Sequence, residues 1–355
     1  MRDNDTGGLD MKRGTLAATT ALAAAFAAAP AKGADEGELY IYNWTDYTSP
    51  ALIEKFESET DIEVTVDSYD SNETLLAKLK SGNATYDIVV PSHNFVPILI
   101  EEGLLQKVNA KQLDGYNNIA ERWRDPRWDP GNRYTIPWQW GTTSFMVNTD
   151  VYDGEIDTYA TLFEPPKALQ GAIGMMGSPE EIVSMALIYM DKPLCNTNPE
   201  TMQQVYQLLK AQKPHVKVYN SDGIKERLLS GDTDMHMIWN GYAMRAKADK
   251  PALEYAFPKE GVVTWMDNLA VPANAENPEN ARRFLAFMMQ PENAAMQSNF
   301  ARYANGIAGT APHLDDSLTE APAFRVPEGV PTVFGEACGE KAIELQSRVW
   351  TRLLQ

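Results

Sequence analysis

Cysteine, histidine and positive charge are all scarce in this chain of 355 residues. Two cysteines and four histidines exclude a disulfide framework and a cysteine-rich metal site. The 31 Lys and Arg residues are outnumbered by 49 Asp and Glu residues, which gives a net charge of −18. Because no basic run is present, nucleic acid and anionic membranes are disfavoured as partners. A small cationic ligand remains compatible with this charge.

Motifs of catalysis and nucleotide binding are also absent. The four histidines, His93, His215, His236 and His313, form neither an HExxH motif nor another metal-ligand spacing. The sequence has no G-x-S-x-G nucleophile elbow, no P-loop and no G-x-G-x-x-G fingerprint. We therefore expect no enzymatic activity, no cofactor and no metal site. A periplasmic enzyme acting on an amine is the alternative, but it would need a nucleophile, base or cofactor that the motifs do not supply.

The longest apolar run lies near the N-terminus. The basic residues of segment 11–13 (Met-Lys-Arg) precede an Ala- and Leu-rich run at residues 16–29, which has the length of a secretory signal. Small residues allow cleavage after Ala31 or after Gly33. A membrane anchor is disfavoured because the run is short and rich in alanine. We expect residues 1–33 to be a signal peptide and the mature protein to be periplasmic.

Two further points concern the start of the protein and the state of its cysteines. The polar residues 1–10 are atypical before a signal, which makes Met11 an alternative start of the protein. In an oxidising compartment, Cys195 and Cys338 form either a disulfide or two buried thiols. The sequence leaves both alternatives open, because the two cysteines lie far apart in the chain.

Strands and helices alternate along the first part of the mature chain. Three apolar, β-prone runs predict strands at residues 38–42, 62–66 and 86–90. Helices are predicted to begin at Ser49 and Ser71, each of which can cap the helix that follows it. This order predicts a parallel α/β sheet. In such sheets functional loops follow the carboxyl ends of strands, which is the position of residues 44–47 and 92–95.

A second α/β set follows a loop rich in proline and tryptophan at residues 114–137. Its predicted strands are residues 142–147, 217–219, 235–238 and 269–272. Its predicted helices are residues 179–190, 200–210, 222–229, 278–289 and 341–354. The two sets together suit a chain of two lobes.

Several segments place a carboxylate beside aromatic residues. Asp46 lies between Trp44 and Tyr47, and Trp265 precedes Asp267 by two positions. Each pattern taken alone is also typical of a buried tryptophan or of a helix cap. Together they suit an ammonium ligand, which needs a carboxylate partner and aromatic faces around it.

Four motifs resemble those of the putrescine- and spermidine-binding proteins of bacterial polyamine ABC transporters. They are residues 42–47 (Tyr-Asn-Trp-Thr-Asp-Tyr), 70–73 (Asp-Ser-Asn-Glu), 86–92 (Tyr-Asp-Ile-Val-Val-Pro-Ser) and 258–261 (Pro-Lys-Glu-Gly). The resemblance spans nearly the whole mature chain. It implies a two-lobed periplasmic binding fold, in which each lobe is a mainly parallel sheet flanked by helices and the ligand lies in the cleft between them. It also implies a monomer that captures a polyamine and delivers it to a membrane permease.

The resemblance places the crossings between the lobes near Gly141 and near Asp267. It assigns residues 34–141 and 267–311 to the N-terminal lobe. Residues 142–266 and 312–355 would form the C-terminal lobe.

The resemblance also implies a ligand site. The implied site residues are Trp44, Thr45, Asp46, Tyr47, Ser92, Glu181, Trp239, Tyr242, Trp265, Asp267 and Tyr303. The carboxylates of Asp46, Glu181 and Asp267 are expected to neutralise the ammonium groups. The aromatic residues are expected to enclose the alkyl chain, while Thr45 and Ser92 form further hydrogen bonds.

Two positions depart from the family's pattern. Tyr242 stands where putrescine-binding relatives carry an Asp, and Gly177 stands where relatives often carry an Asp. Because two amine partners are missing, putrescine is favoured over the triamine spermidine. Another amine or an amino acid remains an alternative ligand, and a ligand-sensing receptor partner remains an alternative role.

Overall fold

The computed structural model describes residues 37–82 and 85–355. The predicted signal peptide, residues 1–33, lies outside the described residues. The strands are β1 (Glu38–Trp44), β2 (Glu63–Tyr69), β3 (Ile88–Val89), β4 (Thr135–Asn148), β5 (Ile173–Met175), β6 (Val216–Tyr219), β7 (Met235–Trp239), β8 (Leu253–Tyr255), β9 (Val262–Ala270), β10 (Ala304–Asn305) and β11 (Thr332–Phe334).

Helices flank these strands. They are α1 (Pro50–Thr60), α2 (Asn72–Ser81), α3 (Val96–Glu101), α4 (Ala160–Phe163), α5 (Pro179–Tyr189), α6 (Pro199–Gln212), α7 (Ile224–Ser230), α8 (Asn240–Asp249), α9 (Pro278–Met288), α10 (Pro291–Ala301), α11 (Asp316–Thr319) and α12 (Glu340–Leu354). Across the described ranges, none of them is both long enough and apolar enough to cross a membrane.

The strands form one continuous mixed sheet. Its main order is β2-β1-β3-β9-β4-β7-β5-β6. At one end β1 pairs in parallel with β2 and β3, and at the other end β5 pairs in parallel with β6 and β7. Between these ends, the long strands β4 and β9 run antiparallel to each other. The predicted parallel α/β arrangement is confirmed for both ends, and two antiparallel strands join them.

Two large hydrophobic cores and a smaller third cluster, which includes Leu75 of α2, lie along this sheet in the described residues. The first includes Leu39 of β1 and Phe284 of α9, and the second includes Ile182 of α5 and Met237 of β7. Strand β4 enters both cores, because its residues 136 and 138 belong to the first and residues 145–147 to the second. Strand β9 likewise passes from the second core at residue 263 to the first at residue 265. Burying a large apolar side chain stabilises the fold by about 1.5–3 kcal/mol, so each core stabilises its own lobe. The predicted lobe boundaries stay a prediction.

The two joining strands are longer than the sequence predicts. Strand β4 begins at Thr135 rather than at residue 142, and β9 covers Val262–Ala270 rather than residues 269–272. Nearly every residue of both strands is buried. A strand covered on both faces shows no alternation of polar and apolar residues, so periodicity could not reveal it.

The predicted helix starts at Ser49 and Ser71 are confirmed. The Ser49 Oγ accepts a hydrogen bond from the Leu52 N–H at 3.3 Å, and the Ser71 Oγ accepts one from the Thr74 N–H at 3.2 Å. These caps satisfy N–H groups that the helix itself leaves free.

A disulfide joins Cys195 to Cys338, with their Cα atoms 5.1 Å apart. It links the segment that follows α5 to the segment between β11 and α12. Of the two alternatives that the sequence leaves open, the structure therefore contains the bonded pair.

Candidate functional site

A cleft with about 650 Å³ of empty space lies where β4 and β9 pass between the cores. All eleven residues expected from the sequence line it: Trp44, Thr45, Asp46, Tyr47, Ser92, Glu181, Trp239, Tyr242, Trp265, Asp267 and Tyr303. Eight further residues line it as well: Asn72, His93, Asn94, Glu180, Arg245, Val263, Thr264 and Gly335. The cleft thus draws on parts of the chain that are more than 250 residues apart.

The first lining loop is fixed at the carboxyl end of β1. The Asn43 Oδ1 accepts a hydrogen bond from the Trp44 N–H at 2.8 Å, and the Trp44 Nε1 donates to the carbonyl of Val90 at 2.9 Å. Asp46 has a φ of 53°, a left-handed conformation that Asp adopts more readily than most residues. These contacts turn the indole of Trp44 and the residues after it toward the cleft.

Asp267 is a buried carboxyl held by a neutral donor. Only 4% of Asp267 is exposed, and its Oδ1 accepts a hydrogen bond from the Ser92 Oγ at 2.6 Å. Burial raises the pKa of Asp267 to about 7, although the hydrogen bond from Ser92 opposes this rise. A nearby positive charge would favour the ionised form of this carboxyl.

Glu181 is a second buried carboxyl, carried by the first turn of α5. Its Oε1 accepts hydrogen bonds from the Thr143 Oγ1 at 2.8 Å and from the Trp239 Nε1 at 2.9 Å. Its Oε2 is buried and has no hydrogen-bond partner. Burial raises the pKa of Glu181 to about 7. An unpartnered buried carboxylate oxygen is costly, so this geometry favours a ligand that donates to it.

Asp46 differs from these two acids because it is exposed. Its Oδ2 accepts a hydrogen bond from the Tyr242 hydroxyl at 2.9 Å, and the neighbouring Thr45 Oγ1 donates to the Asp222 Oδ1 at 2.6 Å. Both contacts reach from the loop after β1 to residues outside the sheet, one in α8 and one between β6 and α7. They close one rim of the cleft and leave the Asp46 carboxylate less available to a ligand than Asp267 or Glu181.

Aromatic rings form the walls. Trp44 meets Trp239 edge-on with 5.8 Å between ring centroids, and Trp265 meets Tyr303 at 5.3 Å. Strand β4 passes under these rings at Gly141, where a Cβ atom would lie 2.9 Å from the indole of Trp265. A glycine is therefore required for the close approach of backbone and wall.

His93 is buried at the edge of the cleft in its neutral form. Its Nδ1 accepts a hydrogen bond from the Met266 N–H at 3.3 Å, so its Nε2 donates to the carbonyl of Gly335 at 2.7 Å. Burial lowers the pKa of His93 to about 4. This histidine fastens the segment after β11 to the cleft. Within residues 37–82 and 85–355, no group of three or more His, Cys, Asp or Glu side chains is arranged to hold a metal ion.

Acidic side chains outnumber basic ones among the described residues that line the cleft. Among the described lining residues, Arg245 is the one Lys or Arg side chain, and its guanidinium stacks over the ring of Tyr242 at 4.5 Å. The acids Glu180, Glu181 and Asp267 have no cationic partner in the described part of the chain. Burial and the charges of Glu181 and Glu73 raise the pKa of Glu180 to about 8. Such a cavity favours a ligand that brings positive charge and an apolar body.

Comparison with known proteins bears on this geometry. Residues 51–326 match the family described as bacterial extracellular solute-binding proteins. The chain belongs to this family. A spermidine/putrescine-binding periplasmic protein of Salmonella typhimurium is 37% identical over 281 residues, which cover 79% of this chain and 80% of that protein. A putrescine-binding periplasmic protein, SpuD, of Pseudomonas aeruginosa is 32% identical over 317 residues, covering 84% of this chain and 86% of that protein.

A solved structure extends the likeness to the fold of this solute-binding protein. A protein described as a putative spermidine/putrescine ABC transporter from Listeria monocytogenes superposes with a TM-score of 0.84 at 29% identity. The match covers 90% of this chain and 99% of the other. The two-lobed binding-protein fold expected from the sequence is thereby confirmed.

The sequence missed some residues that line the cleft of this solute-binding protein. Glu180 adjoins Glu181 in a helix start, which by itself is typical of a favourable first turn. Asn72 lines the cleft, whereas Glu73 borders a small neighbouring cavity together with Glu180. Both belong to a motif that resembles the family, but the motif alone does not show which of its side chains reach the cleft. The signal available in the sequence was the pair Glu180 and Glu181 at the start of α5 and Glu73 at the start of α2. Only the tertiary structure shows that the two helix starts meet.

Proposed function

We propose that this solute-binding protein is the periplasmic component of an ABC transporter, a monomer that captures a polyamine and delivers it to a membrane permease. Putrescine is the ligand that we favour. The observation that carries the proposal is the pair of buried acids, Glu181 and Asp267, in an aromatic cavity whose described residues supply no cation for them. The names of the relatives at 37% and 32% identity point to the same class of ligand.

Each side chain takes a role that its surroundings support. The Glu181 Oε2, buried and unpartnered, would accept a hydrogen bond from one ammonium group, and Asp267 would bind the other. Trp44, Trp239 and the remaining wall residues would enclose the four methylenes. Ser92 already donates to Asp267, so it holds that carboxylate in place without neutralising it.

The magnitudes suit a receptor of micromolar affinity. Two charge-assisted ends, four buried methylenes and cation–π contacts together contribute about 7–11 kcal/mol before the costs of ordering. A micromolar dissociation constant corresponds to about 8 kcal/mol. The gross sum is of the same order as this free energy, so the loss of one carboxylate should be measurable.

Thermal unfolding of the ligand-free protein tests the proposal. The protein would be heated with putrescine, cadaverine, spermidine, choline, arginine or γ-aminobutyrate. A ligand present at about 100 times its dissociation constant stabilises the native state by about 2.7 kcal/mol. We expect putrescine to raise the melting temperature and γ-aminobutyrate, which carries a carboxylate, to have no effect. A rise with amino acids alone would overturn the proposed ligand class.

A further inference from the structure

A second contact across the cleft joins α2 to α5 through two acidic residues. Glu73 lies in the first turn of α2, and its Oε1 accepts a hydrogen bond from the backbone N–H of Glu180 at 3.2 Å. Glu180 lies in the first turn of α5. The two residues are 107 positions apart. Helix α2 packs beside the first part of the sheet, whereas α5 belongs to the second core.

This contact completes the start of the helix that presents Glu181. Pro179, the first residue of α5, has no N–H, and the Ser178 Oγ accepts a hydrogen bond from the Glu181 N–H at 3.3 Å. The remaining N–H of the first turn, that of Glu180, is satisfied by Glu73 from the other side of the cleft. The hydrogen bond therefore forms only when the two sides are together, and it favours the closed arrangement.

The charge of Glu73 acts in the opposite direction. Its Oε2 is buried without a hydrogen-bond partner, and burial raises the pKa of Glu73. Within the described ranges, the titratable groups that interact with it are Asp70, Glu180 and Glu181, which are all acidic. The space beside it is bounded by uncharged side chains of α12 and of the loop after β3, namely Gln346, Ser347 and Asn94. In the described part of the chain, closure thus brings acids together with no cation between them.

We propose that Glu73 makes closure of the cleft conditional on a bound cation. Three carboxylates held in one buried region repel one another, and each loses its hydration. A ligand ammonium at Glu181 offsets this repulsion, after which the hydrogen bond that the Glu180 N–H donates to Glu73 holds Glu181 in position. Glu73 is a positioning residue in this account, because it reaches the ligand only through α5. The identity of the cation rests on the proposed function. The effect of Glu73 on closure of the ligand-free protein does not depend on that identity.

Small-angle X-ray scattering of the ligand-free protein tests this inference. At about pH 8 the wild-type protein should be open and should contract when putrescine is added. The Glu73→Gln variant keeps the acceptor oxygen for the Glu180 N–H but removes the charge. We therefore expect its radius of gyration without ligand to be as small as that of the wild-type protein with ligand. Glu180→Gln removes the facing charge and should have the same effect, which provides a second variant if the first fails to fold.

Two controls separate charge from structure. Glu73→Ala removes both the charge and the hydrogen bond, so it should not contract without ligand. Glu54→Gln makes the same change of net charge at an exposed position of α1 and should behave as the wild-type protein does.

Lowering the pH to about 6 should contract the empty wild-type protein, because protonation removes the same charges, and should not alter Glu73→Gln.

The outcomes are distinct. An equal radius of gyration for empty wild-type protein and empty Glu73→Gln at about pH 8 would overturn the inference, whether both are open or both closed. If Glu73→Gln is closed without ligand but no polyamine contracts the wild-type protein, the proposed ligand is wrong and the role of Glu73 stands.

Discussion

At the scale of single residues, the cleft holds its acids in place with neutral donors. Ser92 donates to Asp267, and Thr143 donates to Glu181. A hydroxyl orients a carboxylate without cancelling its charge, so the demand for a cation remains. An arginine or lysine in either place would have satisfied the acid internally and removed that demand.

The substitution Asp267→Asn tests the role of one acid. The amide can still interact with the Ser92 hydroxyl, but it carries no charge to pair with an ammonium group. We expect the dissociation constant for putrescine to rise at least about tenfold, since a hydrogen bond to a charged group contributes about 1.5–3 kcal/mol. Equilibrium titration of variant and wild type measures the change. Asp153→Asn, at an exposed position, should leave the affinity unchanged, and unchanged affinity in Asp267→Asn would remove that residue from the site.

Much of the residue-scale description was available from the sequence. Every residue that the family resemblance implies lines the cleft. Residues 44–47 and Ser92 lie in loops that follow strand ends, whereas Trp265 and Asp267 lie within β9. The exposure of Asp46 and its contact with Tyr242 were not predictable, since the two residues are 196 positions apart. The same holds for Glu73 and Glu180. Each reads as an ordinary acid of a helix first turn until the two helices are brought together.

At the scale of elements, the strands that join the two cores matter most. Strands β4 and β9 pair from Thr135 to Thr143, with an irregularity after Pro137, and Gly141 lies opposite Trp265. The sequence predicted α1, α2, α5, α6, α7, α9 and α12 from helix caps and amphipathic faces, but it predicted no helix at α8 or α10. It missed the first half of β4 and most of β9 because burial on both faces removes the alternating pattern. The glycine that permits their close packing with the aromatic wall was noted only as a crossing position.

The substitution Gly141→Ala tests this crossing. An added Cβ would lie 2.4 Å from the Asn240 Oδ1 and 2.9 Å from the Trp265 ring. Both neighbours must shift, so we expect a loss of about 1–3 kcal/mol in the free energy of unfolding together with weaker binding of putrescine. Denaturant unfolding measures the first effect and titration the second. Gly339→Ala, where a Cβ meets nothing within 4 Å, should cost less than about 1 kcal/mol and leave binding intact. Equal behaviour of the two variants would contradict the proposed packing role.

At the scale of the whole molecule, the structure shows the cleft in a closed arrangement. Thr45 contacts Asp222 and Asp46 contacts Tyr242 of α8 on one rim, and Glu73 contacts α5 at a further point. Hinged closure around a ligand is a common transition in proteins of two lobes. Here the groups that meet on closure are largely acidic, which connects closure to the charge of the ligand.

Calorimetric titration of the ligand-free mature protein tests the central claim, that the cleft binds an alkyl diamine through Glu181 and Asp267. The bound ligand would first be removed by partial unfolding and refolding, and putrescine, cadaverine, spermidine, spermine, choline and basic amino acids would then be titrated in turn. The account predicts binding of putrescine at one site per chain with a dissociation constant of about 1 μM or lower. Absence of heat with every polyamine would contradict it, and would mean that the two buried acids bind a cation of another kind.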